Sequence, residues 1–88
     1  MSKLVRGSFL DLQKLSLMAF TGNNGAGACT ATGLVVGDRI LSVSCTTAAS
    51  TADVSSLYET VVTVADQIQQ SSATDRSSLE HVALILSA

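Results

Sequence analysis

Charge is what this sequence has least of. Five basic and seven acidic side chains among 88 residues make it 14% charged, against roughly 25% in an average soluble domain. Tryptophan and proline are absent, and two Phe and one Tyr are its whole aromatic complement. Each shortage excludes something. Five Lys and Arg against seven acids cannot neutralise a run of phosphates, so a basic nucleic-acid binder is excluded. Three aromatics without a basic groove make no stacking platform for single strands. No stretch of about 18 apolar residues occurs, so no helix is expected to span a membrane. A chain that is 47% hydrophobic is not a charge-rich disordered segment or a coiled coil. Neither nucleic acid nor membrane is an expected partner.

Catalytic signatures are missing as well. Cys29, Cys45 and His81 have no CxxC or HxxxH spacing that would bring two metal ligands together. The cluster Gly22-x-x-Gly25-x-Gly27 lacks the Lys-Ser/Thr of a phosphate loop and reads as a hairpin turn around Asn24-Gly25. No G-x-S-x-G elbow positions a serine nucleophile. His81 adjoins Glu80, and neighbours on a strand face opposite sides, so His81 is expected to be a half-exposed structural residue. The same alternation separates Asp38 from Arg39. Asp53, Asp66 and Asp75 fall in turn-like stretches, where Asp is ordinary turn chemistry. No catalytic, cofactor-binding or metal-binding residue is assigned, no cofactor is expected, and the chain is not expected to be an enzyme. Lys3 and Arg6 precede an apolar run interrupted by Asp11, Gln13 and Lys14, which is not a secretory signal pattern. Synthesis in the cytoplasm is expected, with both thiols reduced and buried as small hydrophobes.

What is present is a short apolar chain rich in hydroxyls. Ser and Thr number 13 and 9, a quarter of the residues. A domain of this size buries only about 60–65% of the surface its unfolded chain exposes, so apolar side chains are left near the outside. Large exposed apolar patches mark interaction sites, and the expected state is a homo-oligomer, with a monomer under a Ser/Thr-coated surface as the alternative. Residues 1–11 read as an N-terminal arm broken by Gly7. Within it Lys3, Leu4, Val5 and Arg6 are candidate assembly contacts reaching a neighbour, with a frayed terminus as the alternative.

Residues 12–88 read as one all-β domain. From Leu12 to Thr21 polar and apolar residues alternate, with Leu15, Leu17 and Ala19 on one face. Ala28 to Thr32 is a short strand. Val36-Gly37-Asp38 is a turn, and Arg39 to Cys45 alternates again, with Leu41, Val43 and Cys45 on one face and Ile40, Ser42 and Ser44 on the other. Residues 46–53 read as a mobile connection. Over 54–70 two patterns compete. Ser56-Leu57-Tyr58-Glu59 fits a helical capping box, with Leu57, Val61, Val64, Ala65 and Ile68 at helical spacing. Thr60-Val61-Val62-Thr63-Val64 is an unbroken β-branched run that favours a strand. The second pattern predicts strand–turn–strand with the turn at Ala65-Asp66 and Ile68 to Ser71 as the partner strand. Ser72 to Ser78 is a polar turn, and the apolar run from Glu80 to Ser87 is a buried strand. The expected fold is a small antiparallel β-sandwich or jelly-roll-like barrel of about six to seven short strands.

Two stretches resemble small bacteriophage structural proteins. One is Thr32-Gly33-Leu34-Val35-Val36-Gly37-Asp38-Arg39-Ile40-Leu41-Ser42-Val43. The other is Tyr58-Glu59-Thr60-Val61-Val62-Thr63-Val64-Ala65-Asp66-Gln67-Ile68-Gln69-Gln70, followed by the polar turn and the apolar last strand. The resemblance implies an all-β virion component, specifically a capsid decoration (cement) protein that stabilises a phage head as a symmetric oligomer, with the major capsid protein as its partner. A tail, neck or spike component and a small-ligand or carbohydrate-binding sandwich are the alternatives. It carries no catalytic residues onto this chain.

Overall fold

The computed structural model describes residues 14–88. The candidate contacts Lys3, Leu4, Val5 and Arg6 lie outside the described residues. Six strands form among the described residues: β1 Leu15–Thr21, β2 Gly27–Thr30, β3 Arg39–Cys45, β4 Ala52–Asp53, β5 Gln67–Gln70 and β6 Glu80–Leu86. They make a four-stranded sheet in the order β1-β6-β3-β4 and a two-stranded sheet of β2 and β5, with every pairing antiparallel. The expected all-β class and strand number hold.

β6 is central because it is apolar at almost every position. It pairs with β1 along its whole length and with β3 from Cys45 to Arg39. Residues directly opposite share a face, so the inner rows are Phe20–His81–Cys45, Met18–Ala83–Val43 and Ser16–Ile85–Ile40. Phe20, His81, Ala83, Ile85, Val43 and Ile40 are buried there. Cys29, Ala31 and Ile68 join the same cluster from the two-stranded sheet and its flank, with Leu34, Tyr58 and Val62 from the connections. Both cysteines are buried and unbonded.

Several expectations are corrected. Ile40 was expected opposite the face of Val43, yet both are buried. The ladder to β6 steps from Ile40↔Ile85 to Ser42↔Leu84, so Leu41 is an extra residue. Such a bulge shifts the alternation by one, which turns Leu41 outward at 49% exposure. On β1 the buried side is that of Phe20, and Leu17 is 72% exposed. The glycine cluster is not a hairpin, because β1 and β2 belong to different sheets; it carries the chain from one sheet to the other. The positive-φ glycines are Gly27, Gly33 and Gly37, not Gly25. Residues 46–53 are not a loose connection: a 3-10 turn at Ala48–Ser50 leads into β4, which pairs Ala52 with Cys45 and Asp53 with Ser44.

Segment 54–70 holds the expected turn, with Asp66 at φ 63° and β5 following it. The capping-box sequence makes only a 3-10 turn at Ser55–Leu57. The β-branched run is not a regular strand, because the segment that leads into it changes partner between Glu59 and Thr60. Glu59 N–H donates to Gln69 O at 3.0 Å and Ser71 N–H to Leu57 O at 2.8 Å, both on the β5 side. Ile40 N–H then donates to Thr60 O, and Val62 N–H to Asp38 O, both at 2.8 Å on the β3 side. This extended connector ties the two sheets together.

Gly22 is the tightest backbone approach. A Cβ there would overlap Arg76 O, and Arg76 N–H donates to the neighbouring Asn23 O at 2.8 Å. Overpacking of this kind costs about 1–3 kcal/mol. Gly22→Ala is expected to destabilise the domain by about that amount in urea unfolding, while Gly25→Ala, whose nearest neighbour would be 3.9 Å away, stays within about 1 kcal/mol, the ordinary cost of a glycine change.

Candidate functional site

Two features could carry function: a polar cluster inside and an apolar sheet face outside. The cluster is built on β6, β5 and the segments that pack between them. His81 is 1% exposed, which corrects the expected half-exposed position. Alternation along β6 sets it on the buried face with Ala83 and Ile85, where it stacks on Phe20 with ring centroids 5.0 Å apart. Tyr58 meets both rings edge-on, at 5.4 Å from Phe20 and 5.3 Å from His81.

His81 Nε2 lies 3.0 Å from the Tyr58 hydroxyl and 3.2 Å from Arg76 Nη2. A guanidinium only donates, so Nε2 is an acceptor and a neutral ring carries its proton on Nδ1. Nδ1 is buried without a hydrogen-bond partner. Burial pushes the His81 pKa down, and the Arg76 charge pushes it further the same way. Burial also raises the Tyr58 hydroxyl and the Cys29 thiol. The cluster therefore holds neutral groups around one cation. No exposed base or nucleophile is prepared by it.

Gln70 is the fixed point of the same region. It is 2% exposed. Its Nε2 faces Gly25 O, Ser72 O and Thr74 O at 3.0 Å and Asn23 O at 3.3 Å. Its Oε1 accepts from Asn23 N–H at 2.9 Å. One side chain thus pins the 22–25 and 72–74 turns against each other. Nothing in the local sequence marks it, since Gln69 beside it is only half-buried. Beyond it lies an open cleft of about 250 Å³ lined by Thr21, Gly22, Asn23, Ala28, Cys29 and Thr30.

The turn carboxylates do what was expected of them. Asp53 accepts from Ser55 N–H and Oγ, and Asp75 from Ser77 N–H and Oγ. Those bonds lower both pKa values. Asp66 accepts from Gly33 N–H at 2.7 Å. Asp38 is buried and accepts from Val35 N–H and Ala88 N–H, so it locks the turn before β3 to the chain beyond β6. Among the described residues no group of three His, Cys, Asp or Glu could hold a metal ion.

The second feature is the outer face of the large sheet. Its rows are Leu15–Leu86–Arg39, Leu17–Leu84–Ser42, Ala19–Val82–Ser44 and Thr21–Glu80. Leu17 and Ala19 are exposed, and Leu15, Val82, Leu84 and Leu86 are half-buried. No element of the described residues packs over these rows in the way the two-stranded sheet covers the inner side. The bulged Leu41 adds to the exposed apolar surface. In comparisons with known proteins, no family model, no curated protein and no solved structure matches this chain.

Two outcomes are expected. The unfolded chain binds the His81 proton more readily than the folded one, because the folded pKa lies below the ordinary 6.5. The stability of the neutral ring is fully present above about pH 6.5 and is lost as the pH falls through the lowered folded value. The urea midpoint should therefore drop between about pH 7 and pH 5, above the range in which ordinary carboxylates titrate; a flat midpoint there contradicts the buried neutral imidazole. Gln70→Glu keeps the shape but sets a carboxylate against four carbonyl oxygens. It should cost at least about 2 kcal/mol at neutral pH, the scale of a buried group left without donors, read from denaturant midpoints.

Proposed function

We propose that this chain is a non-enzymatic virion structural protein, a capsid decoration or cement protein that stabilises a phage head as a symmetric oligomer. The observation that carries the reading is the outer face of the large sheet. Apolar rows from β1 and β6 lie open there, on a chain of only 14% charged residues. A monomer alone in water gains nothing from leaving that face bare, whereas a protein built to pack against neighbours does. The resemblance of 32–43 and 58–70 to phage structural proteins supports the same reading. So does the sealed polar cluster, whose groups are occupied in holding turns together.

In this role the partners are further copies of the chain and the major capsid protein. The chain is made in the host cytoplasm and carried in the virion. Symmetric shells repeat one interface many times, and simultaneous contacts raise overall binding without any single strong one.

The test is quantitative protein composition of purified virions. A decoration protein should be present at a copy number comparable to the major capsid protein. A handful of copies per particle would move the assignment to tail, neck or spike, and absence from particles would remove it.

A further inference from the structure

β1 is an edge strand. β6 lies on one side of it, and among the described residues no strand lies on the other. The register tells which backbone groups face the open side. Gly22 N–H donates to Leu79 O at 3.0 Å and Ser87 N–H to Lys14 O at 3.1 Å. Both pairs continue the register of Leu15↔Leu86. In an antiparallel ladder, residues alternate between turning both backbone groups to the neighbour and turning both away. Even-numbered residues therefore bond to β6. Leu15, Leu17, Ala19 and Thr21 direct their N–H and C=O outward.

We propose that this edge pairs antiparallel with β1 of a second copy of the chain, about a two-fold axis beside Met18. This names the partner and the seam for the oligomer of the proposed function, and it rests on that reading only for its biological setting. The parity is self-complementary. In the register that uses all seven residues, Leu15 stands opposite Thr21 of the second copy and Leu17 opposite Ala19. Every such pair joins two residues whose groups point outward. An isologous contact requires that self-match.

The side chains agree. From Leu15 to Thr21 there is no charge, so two copies bring no like charges to the seam. Protected edges carry Lys, Pro or a bulge, and β1 has none of these between its ends. The outer rows also join. Ser42–Leu84–Leu17 of one copy runs on into Ala19–Val82–Ser44 of the other, so the apolar face becomes continuous across an eight-stranded sheet. A seven-residue seam buries less than the roughly 800 Å² per partner of a standard interface. The pairing is therefore weak and depends on concentration, as suits a contact reinforced by a shell.

The test is residue-resolved amide hydrogen exchange on the full chain over a concentration series. The Leu17 and Ala19 amides should exchange at least tenfold more slowly at high than at low concentration, while the Met18 and Phe20 amides, bonded to β6, stay protected throughout. Outward amides that remain fast at every concentration would overturn the proposal. So would protection that is independent of concentration, which would mean that the chain's own residues 1–13 cover the edge. A covalent trap checks the register. The two-fold sets residue 18 opposite itself in a non-hydrogen-bonded pair, about 4.5 Å between Cα atoms, within disulfide reach. Met18→Cys should give a covalent dimer under mild oxidation. Ser16→Cys, which faces Phe20 of the second copy, should not; the reverse pattern would overturn the seam. Pairing in a chain absent from virions would leave the seam standing and remove only the decoration reading. Virion attachment without concentration-dependent protection would remove only the seam.

Discussion

The structure turns on a strand that is apolar on both sides and covered on one. β6 must sit at the centre of its sheet, since its run from Val82 to Leu86 would be costly at an edge. Its inner residues, His81, Ala83 and Ile85, are sealed by the two-stranded sheet and the connector at 57–62. An 88-residue chain has no third layer in its described residues to lay over Val82, Leu84 and Leu86. The bare outer face follows from that shortage of material, and with it the case for neighbours. This links the low charge of the sequence to the proposed function: a surface that a monomer would coat with Lys and Glu is here apolar.

Inside, polarity takes over work that large side chains usually do. With three aromatics in the whole sequence, the core cannot be filled by bulk alone. Phe20, Tyr58 and His81 form one mutually packed triad, and Arg76 closes it by donating to Tyr58 and His81. Gln70 then fixes the turns on either side. Its Nε2 has two hydrogens and four carbonyl neighbours, so the hydrogens are shared. The unpartnered Nδ1 of His81 is the counterpart of that crowding: the cluster's polar contacts are arranged around Gln70 and Arg76, on the Nε2 side of the ring.

Much of the fold was legible in the residues, and the reasons for the rest are physical. β1, β3 and β6 were visible as alternation or as an apolar run, because strand period is a local property. The turns at Gly37-Asp38, Asp66 and Asp75 were visible because Gly and Asp accept the positive φ found at Gly37 and Asp66, and Asp can accept from nearby backbone, as Asp75 does from Ser77 N–H. The bulge at Leu41 was not, since it exists only relative to β6. The sheet-crossing at 22–27 looked like a hairpin because Asn-Gly pairs serve both purposes. The connector at 57–62 was hidden by a partner change that no local pattern records. Of the candidate site, the apolar excess was readable but its location was not. Gln70 and the burial of His81 gave no local signal at all, and the arm at Lys3–Arg6 lies outside the described residues.

The strand order also governs how the domain comes into being. β1 and β3 reach the same sheet only through β6, whose paired residues lie 36 (Cys45 to His81) to 71 (Leu15 to Leu86) positions further along, and β2 must wait for β5. Among the described residues, the sole pair of strands neighbouring in both sequence and sheet is β3 with the two-residue β4. Such remote pairing slows folding. On a ribosome, β1 has no strand of its sheet to join, and β3 only the two-residue β4, until Glu80–Leu86 has been made. During that interval the nascent chain is exposed to misassociation with its neighbours, and chaperones would have their chief opportunity to act on it.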